Sequence, residues 1–306
     1  MEQEQKPKKE FGRKVARFHD KYYKHLLIIP AIILLLSFIY MGVFYSNNGD
    51  FMHKDISLTG GTSITVHEKI DTNELKDYLS DKLESLTVRE ISDLITREQI
   101  SVIVETISDT ETTRTVLEDY LGHALTDENS SFEFTGSALS EGFFKQLLFA
   151  VLLAFVFMAL VVFLIFRNFI PSTAIILAAF TDIFMTLALF NFLGMQMSTA
   201  GIIAFLMLIG YSVDTDILLT NRVLKRREGT LNRRIFSAFK TGTTMTLTSL
   251  LAIITALLIV SSFSAVLTKI FTVLVIGLSF DILNTWITNA SIIKWYVKRK
   301  ESKNEV

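Results

Sequence analysis

Long uninterrupted apolar stretches alternate along this chain with one segment in which apolar positions recur every second or every third to fourth residue. Residues 26–45 carry no charge, and residues 147–166 are apolar throughout. Four less uniform stretches follow at 169–192, 198–219, 243–260 and 270–293. Roughly 20 apolar residues are what a helix needs to cross the hydrocarbon layer. A backbone inside that layer must also satisfy its own hydrogen bonds, so all six stretches predict transmembrane helices. The first is longer than a signal-peptide core, and residues 40–45 offer no small-x-small cleavage site, so it reads as an anchor.

Residues 46–142 follow other periods. Residues 63–67 alternate like a half-buried strand. From Asp71, a plausible N-cap, Leu75, Leu79, Leu83 and Leu86 trace one face of a helix over 71–86. Residues 87–95 fit either a helix or a strand, since Val88, Ile91 and Leu94 suit both. Residues 100–107 alternate as a strand. Ser108-Asp109-Thr110-Glu111 has capping-box spacing ahead of a helix carrying Val116, Leu117, Tyr120 and Leu121, which Gly122 would close. Residues 131–135 supply a last strand. With 87–95 as a strand, the order is the ferredoxin-like βαββαβ. The expected fold class is thus a polytopic α-helical membrane protein with six transmembrane helices, bearing an α+β domain between the first two.

Charge orients this arrangement. The chain has 306 residues, 30 basic against 31 acidic, and no cysteine. Soluble enzymes, fibrous proteins and disordered chains are excluded, and no disulfide framework is possible. Lys and Arg are concentrated before residue 25, at Arg167, in 220–240 and after Ile293, 21 in all, whereas Lys145 and Lys269 stand alone at the opposite span ends. The positive-inside rule then places both termini in the cytoplasm. It puts residues 46–142, with 20 acidic and 7 basic side chains, outside. The organisation expected is a basic arm at 1–25, helix 1 at 26–45, the extracytoplasmic domain at 46–142 and a five-helix bundle at 143–306 with a basic loop (220–240) and tail. Phe11, Val15, Phe18 and Tyr22 give the arm an amphipathic helical face that suits the bilayer surface. The basic clusters face anionic lipid headgroups; nucleic acid is the poorer reading. His53, His67 and His123 lack metal-ligand spacing, and no nucleophile–base pair or cofactor motif is visible, so neither enzyme, metal nor cofactor is expected. Asn129-Ser130-Ser131 matches a glycosylation sequon.

The informative residues are carboxylates inside the spans: Asp182, Asp214, Asp216 and Asp281. A central Asp costs about 2.5–3.5 kcal/mol on insertion, so four isolated ones would cost on the order of 10–14 kcal/mol. The six spans as drawn hold no Lys, Arg or His, and Arg222 lies just beyond the fourth. Protonation, water or a second polypeptide must therefore compensate them. In the sixth span Asp281, Asn284, Thr285, Thr288 and Asn289 form one polar stripe. In the fifth, Thr241, Thr244, Thr248 and Thr255 form another, with Ser249 beside them. Asp214 and Asp216 stand about 200° apart on a helix. Asp214 is the expected proton-responsive group, supported by Asp182, Asp281 and these stripes, while Asp216 is expected at the cytoplasmic boundary.

Gly210-Tyr211-Ser212-Val213-Asp214-Thr215-Asp216, followed by Arg222-Val223-Leu224-Lys225-Arg226, resembles the fourth-span signature of the SecF family. Thr59-Gly60-Gly61-Thr62 resembles that family's Gly-Gly motif, and residues 246–251 (Thr-Leu-Thr-Ser-Leu-Leu) its fifth-span threonine motif. The resemblance implies an RND-superfamily half-transporter that assists protein export. It also implies a homologous six-span SecD-like partner, a Sec translocation channel, an unfolded translocating polypeptide and proton coupling. Bacterial members place Asp at Thr215, a basic residue at Thr244 and an aromatic at Leu58, so the resemblance is to archaeal-type members. Two rivals stand beside this reading: a proton-driven small-molecule or lipid exporter subunit, and a purely structural membrane subunit.

Overall fold

The computed structural model describes residues 22–304 apart from 24, 94, 95, 97 and 226–228. The basic arm with Phe11, Val15 and Phe18, together with Leu94, Arg226 and Arg227, lies outside the described residues. In chain order the elements are α1 (Ile28–Asn48), α2 (Ile56–Thr59), β1 (Gly61–Val66), α3 (Thr72–Ser80), β2 (Thr87–Ser92), β3 (Gln99–Thr106), α4 (Thr110–Leu121), β4 (Ser130–Thr135), α5 (Ser137–Phe166), α6 (Phe169–Phe192), α7 (Thr199–Lys225), α8 (Leu231–Val260), α9 (Ala265–Leu283), a π-helix (Asn284–Asn289) and α10 (Ala290–Asn304). Among the described residues six helical runs are long and apolar enough to cross a membrane: α1, α5, α6, α7, α8 and the continuous Ala265–Ser302. Two start well before the apolar stretch does. α5 begins at Ser137 and α8 at Leu231, so much of the basic loop is helix.

Between α1 and α5 the chain forms a four-stranded antiparallel sheet in the order β2-β3-β1-β4. β3 separates β1 from β2 and β1 separates β3 from β4, which gives two interlocked split βαβ units. The ambiguous 87–95 segment resolves as a strand because Val88 pairs with Val104 and packs beside it on the core face. Ile64, Val66, Val102 and Val104 from the sheet meet Leu75, Leu79 and Leu117 from α3 and α4, all wholly buried. Each such side chain contributes about 1.5–3 kcal/mol.

The helix caps refine the sequence reading. The Asp71 carboxylate accepts the Asn73 and Glu74 N–H groups at 2.9 and 3.2 Å, as expected, but α3 stops at Ser80 and Leu83 reaches the core from a turn. The cap of α4 is Asp109, which accepts the Thr112 N–H at 3.0 Å, one residue later than the spacing implied. Ser108 is occupied elsewhere, receiving the Glu84 N–H and contacting the Thr106 hydroxyl. Gly122 closes α4 with φ 74°. The Asn129 amide donates to the Ala124 carbonyl, so the sequon asparagine also closes a turn.

The glycine pair is the crossing point of the two halves. Gly60 and Gly61 have φ of 82° and 146°. A Cβ on Gly60 would stand 2.5 Å from the Ser137 backbone at the start of α5, and one on Gly61 would stand 2.3 Å from the Thr106 carbonyl oxygen. Further ties fasten the domain to the helix ends. Met197 and the segment at His53–Asp55 exchange backbone hydrogen bonds, and the Thr199 N–H donates to Ser57 Oγ at 2.9 Å. The Ser92 N–H donates to the Ser262 carbonyl, and Asp55 pairs with Lys269 at the start of α9.

Within the helical bundle α6 and α7 are the most enclosed. α7 and α9 approach closely because position 277 is glycine: a Cβ there would meet Leu208 at 2.4 Å. Phe205, Leu208, Leu274 and Leu278 form an apolar cluster toward the sheet domain. Leu219, Val223, Trp286 and Ile293 form another toward the far end. Along α7 and α9 a polar layer lies between the two.

Candidate functional site

Three helices supply this layer, each contributing a fully enclosed carboxyl. Asp182 of α6 is 1% exposed, and Asp216 of α7 and Asp281 of α9 are 0%. Asp182 is held through both oxygens: Oδ2 accepts the Ser212 hydroxyl and Oδ1 the Asn284 amide, each at 2.6 Å. Asp216 Oδ1 accepts the Asn289 amide at 2.6 Å and the Thr285 hydroxyl at 2.9 Å. The Thr285 hydroxyl also stands 3.1 Å from Asp281 Oδ1, so one O–H lies between two carboxyl groups. One hydroxyl proton cannot be donated fully to both, so the pair is short of donors. Among the described residues Asp216 Oδ2 has no hydrogen-bond partner, and Asp281 also has beside it the Ser212 hydroxyl that Asp182 accepts.

The positions on helices follow from small polar residues at turn spacing. Ser212 and Asp216 are four apart on α7, and Asp281, Thr285 and Asn289 are four apart along α9 and the π-helix. Asn284, Thr285 and Asn289 all belong to that wide turn, a distortion found frequently at functional sites. Thr288 supports the layer from its edge, its hydroxyl 3.4 Å from Asn284 Oδ1.

Asp214 and Asp216 are the reverse of the expectation. Asp216, expected at the boundary, is enclosed, whereas Asp214 lies on the exposed face of α7 with Ile203, Met207, Gly210 and Tyr211. The physical reason is helical phase. Asp216 shares its face with buried Leu208, Ser212 and Thr220, while Asp214 shares its face with exposed Asn221 and Lys225. That phase was readable in Asn221 and Lys225, which follow Asp214 by 7 and 11 positions. The signature is therefore split, with Ser212, Thr215 and Asp216 turned inward and Gly210, Tyr211 and Asp214 outward.

The fifth-span threonines also differ from expectation. Thr244 and Thr248 are exposed and donate to carbonyls of their own helix, Lys240 at 2.7 Å and Thr244 at 2.9 Å. Ser249 is half-buried. None has a hydrogen bond to the carboxyl layer among the described residues; Thr246, which is buried, faces inward 3.5 Å from the Thr215 hydroxyl. Arg222 donates to the Ser237 carbonyl and to the Ser237 and Thr241 hydroxyls, bridging α7 to α8. Among the described residues no salt bridge reaches Asp182, Asp216 or Asp281. Sequence reasoning missed Lys294, wholly buried one residue past the sixth span as drawn, with its ammonium 5.1 Å from the Tyr23 ring. It also missed the Asp55–Lys269 pair, whose members are 214 positions apart in sequence.

Comparison with known proteins agrees with this architecture. The family model described as protein export membrane protein SecD/SecF, C-terminal, matches residues 116–299. The protein-export membrane protein SecF of Methanocaldococcus jannaschii is 40% identical, over 92% of this chain and 99% of its own length. That of Methanothermobacter thermautotrophicus is 38% identical over 91% of this chain and 94% of its own, and that of Pyrococcus furiosus 35% over 92% and 93%. The crystal structure of SecDF, a translocon-associated membrane protein from Thermus thermophilus, shares the fold with a TM-score of 0.70 at 20% identity. The match covers 90% of this chain and 38% of that one. The chain is therefore a multi-pass membrane protein that belongs to the SecD/SecF family of protein-export membrane proteins, in company with archaeal SecF sequences.

Proposed function

We propose that the chain is an accessory subunit of the Sec translocation machinery, assisting the export of unfolded polypeptides and driven by the proton gradient through the carboxyl layer. The observation that carries this reading is the Asp216–Thr285–Asp281 contact, enclosed between two apolar clusters and short of hydrogen-bond donors. Charging such a layer is costly and neutralising it relieves that cost, so its protonation state biases how α6, α7 and α9 pack. The helix ends carry the effect onward, because Thr199 at the head of α7 and Lys269 at the head of α9 bind Ser57 and Asp55 beside the glycine pair. Both termini are assigned to the cytoplasm and residues 46–142 to the outer side on the distribution of Lys and Arg. There the sheet domain meets the emerging chain.

A SecD-like six-span subunit is assigned to the exposed face of α7 and α8. Asp214 lies there with Thr244 and Thr248, and an intramembrane carboxylate left to lipid is untenable. Gly210, where a Cβ would meet nothing within 4 Å, leaves room on this face for a second backbone. The same face, turned to a partner rather than to a substrate cavity, favours the export reading over a self-contained exporter.

The test is export of a secreted reporter by cells carrying Asp216→Asn or Asp281→Asn, with recovery of the partner subunit as the control for assembly. Export should fall at least tenfold while the partner is still recovered. Normal export by assembled variants would leave only a structural subunit. Since the chain has no cysteine, a single Thr248→Cys probes the interface: it should cross-link to the partner, and labelling by lipid-phase reagents alone would refute the docking face.

A further inference from the structure

We infer that Asn129 carries an N-linked oligosaccharide, added at the membrane-distal tip of the sheet domain. The inference rests on the outer placement of residues 46–142 proposed above. Two Asn-x-Ser/Thr triplets occur in the chain, Asn129-Ser130-Ser131 and Asn289-Ala290-Ser291. The fold separates them. Asn289 is wholly buried inside the bundle with its amide donating to Asp216 at 2.6 Å, and Ser291 is equally buried, its hydroxyl donating to the Tyr23 carbonyl at 3.1 Å. That triplet is out of reach of any transferase. Asn129 instead closes a turn between α4 and β4, among exposed Ala124, Thr126, Asp127 and Glu128. Ser131 is exposed, and its hydroxyl makes no hydrogen bond among the described residues.

The strand directions fix where that turn stands. β1 leaves the bundle at Gly61, next to the glycine that abuts Ser137 at the head of α5, and runs outward to Val66. β4 pairs with it antiparallel, Thr135 opposite Gly61 and Ser130 opposite Val66, so the head of β4 is its far end. At about 3.3 Å per residue this ladder carries Asn129 roughly 20 Å from the helix ends, clear of lipid. The amide is held there without being used up. Its Oδ1 accepts the Thr126 N–H at 2.7 Å, and Nδ2 donates to the Ala124 carbonyl at 3.1 Å. A side-chain amide has two N–H donors, so one remains for substitution while the turn keeps both contacts. In the transfer, Nδ2 bonds to C1 of the sugar and the C1–O bond to the phosphate of a lipid-linked oligosaccharide breaks. The amide proton leaves with the lipid phosphate. The backbone is undisturbed, because the Asn129 carbonyl still receives the His67 N–H at 2.8 Å. A bulky, hydrated group is tolerated at such a tip, where it interrupts no ladder bond.

The test is mass spectrometry of the full chain purified from its native membranes. The peptide containing Asn129 should carry a glycan, and the peptide containing Asn289 should be bare. Ser131→Ala removes the hydroxyl that the triplet requires and no recorded side-chain hydrogen bond, so it should abolish the adduct without moving the melting temperature. Ser131→Thr restores the triplet with a residue that suits a strand, and should keep the adduct. A bare Asn129 peptide, or an adduct that survives Ser131→Ala, would overturn the inference. Lys76→Cys, at an exposed position of α3, separates this from the sidedness on which it rests. The chain has no cysteine of its own, so a membrane-impermeant maleimide applied to intact cells labels this variant only from outside. Labelling together with a bare Asn129 defeats the glycan alone, whereas labelling only after the cells are broken defeats the outer placement of the domain.

Discussion

Asp55 is paired with Lys269, and the pair bridges the residue that caps α2 to the fifth residue of α9. Their side chains are only 6% and 12% exposed, so removing one partner strands a charge away from water. Lys269→Met should therefore destabilise the chain by about 3–5 kcal/mol. Adding Asp55→Asn should recover much of that loss, since the amide still accepts the Ser57 N–H that the carboxylate receives at 2.9 Å. Thermal melts of the two single variants and the double variant in detergent check this. Additive losses would show that the pair does not couple.

The glycine pair gives a sharper expectation. Gly61→Ala drives a methyl group into the Thr106 carbonyl oxygen and breaks the β1–β3 ladder where Thr62 faces Thr106. Together with the left-handed backbone strain, about 1–2 kcal/mol by itself, this should prevent stable accumulation. Gly136→Ala, with nothing within 4 Å of the added carbon, is the matched control and should accumulate normally. Immunoblots of membranes carrying each variant, with limited proteolysis of the sheet domain, read the outcome.

Asp214 and Asp216 should separate cleanly by assay. Asp214→Asn alters an exposed side chain and should leave the melting temperature of the isolated chain within about 0.5 kcal/mol of the parent in stability terms. Its effect should appear only when the partner is present, as weaker co-purification. Asp216→Asn should shift the melting temperature of the isolated chain itself, because Thr285 and Asn289 lose the carboxylate they serve. An Asp214→Asn chain that melts like Asp216→Asn would contradict the split of the signature into two faces.

The sheet domain should carry its own response to pH. His123 pairs with Glu68 at 2.9 Å, and the Ala124 carbonyl, together with the Glu68 carboxylate, raises the imidazole pKa above its ordinary value. A folded pKa raised in this way adds stability that is fully present below the ordinary histidine pKa and is lost as pH rises through the raised one. The domain should therefore lose a small amount of stability on alkalinisation through that window, and His123→Gln should flatten the slope. Hydrogen exchange of the α4–β4 segment at a series of pH values measures it.

The spans, the βαββαβ order and the polar stripe of Asp281, Asn284, Thr285 and Asn289 were legible because they rest on periodicity. Continuous apolar runs, alternation and four-residue spacing are local properties of the chain. What failed was phase. Whether Asp214 or Asp216 turns inward was signalled only by Asn221 and Lys225, 7 and 11 positions beyond Asp214 on the exposed face of α7, and that weak signal was passed over. The same holds for α8, where Thr246 faces in and Thr244 and Thr248 face out. Contacts between distant positions, such as Asp55 with Lys269, leave no trace in spacing at all.

The π segment at 284–289 carries a mechanical consequence. A wide turn accommodates one residue more than the regular ladder, so the Ala265–Ser302 helix holds spare length in its middle. Passing that extra residue up or down one position would rotate each residue it passes by about 100° about the helix axis while both ends keep their place. Asn284, Thr285 and Asn289 all sit in that segment, so such a shift would change which of them face the carboxyls.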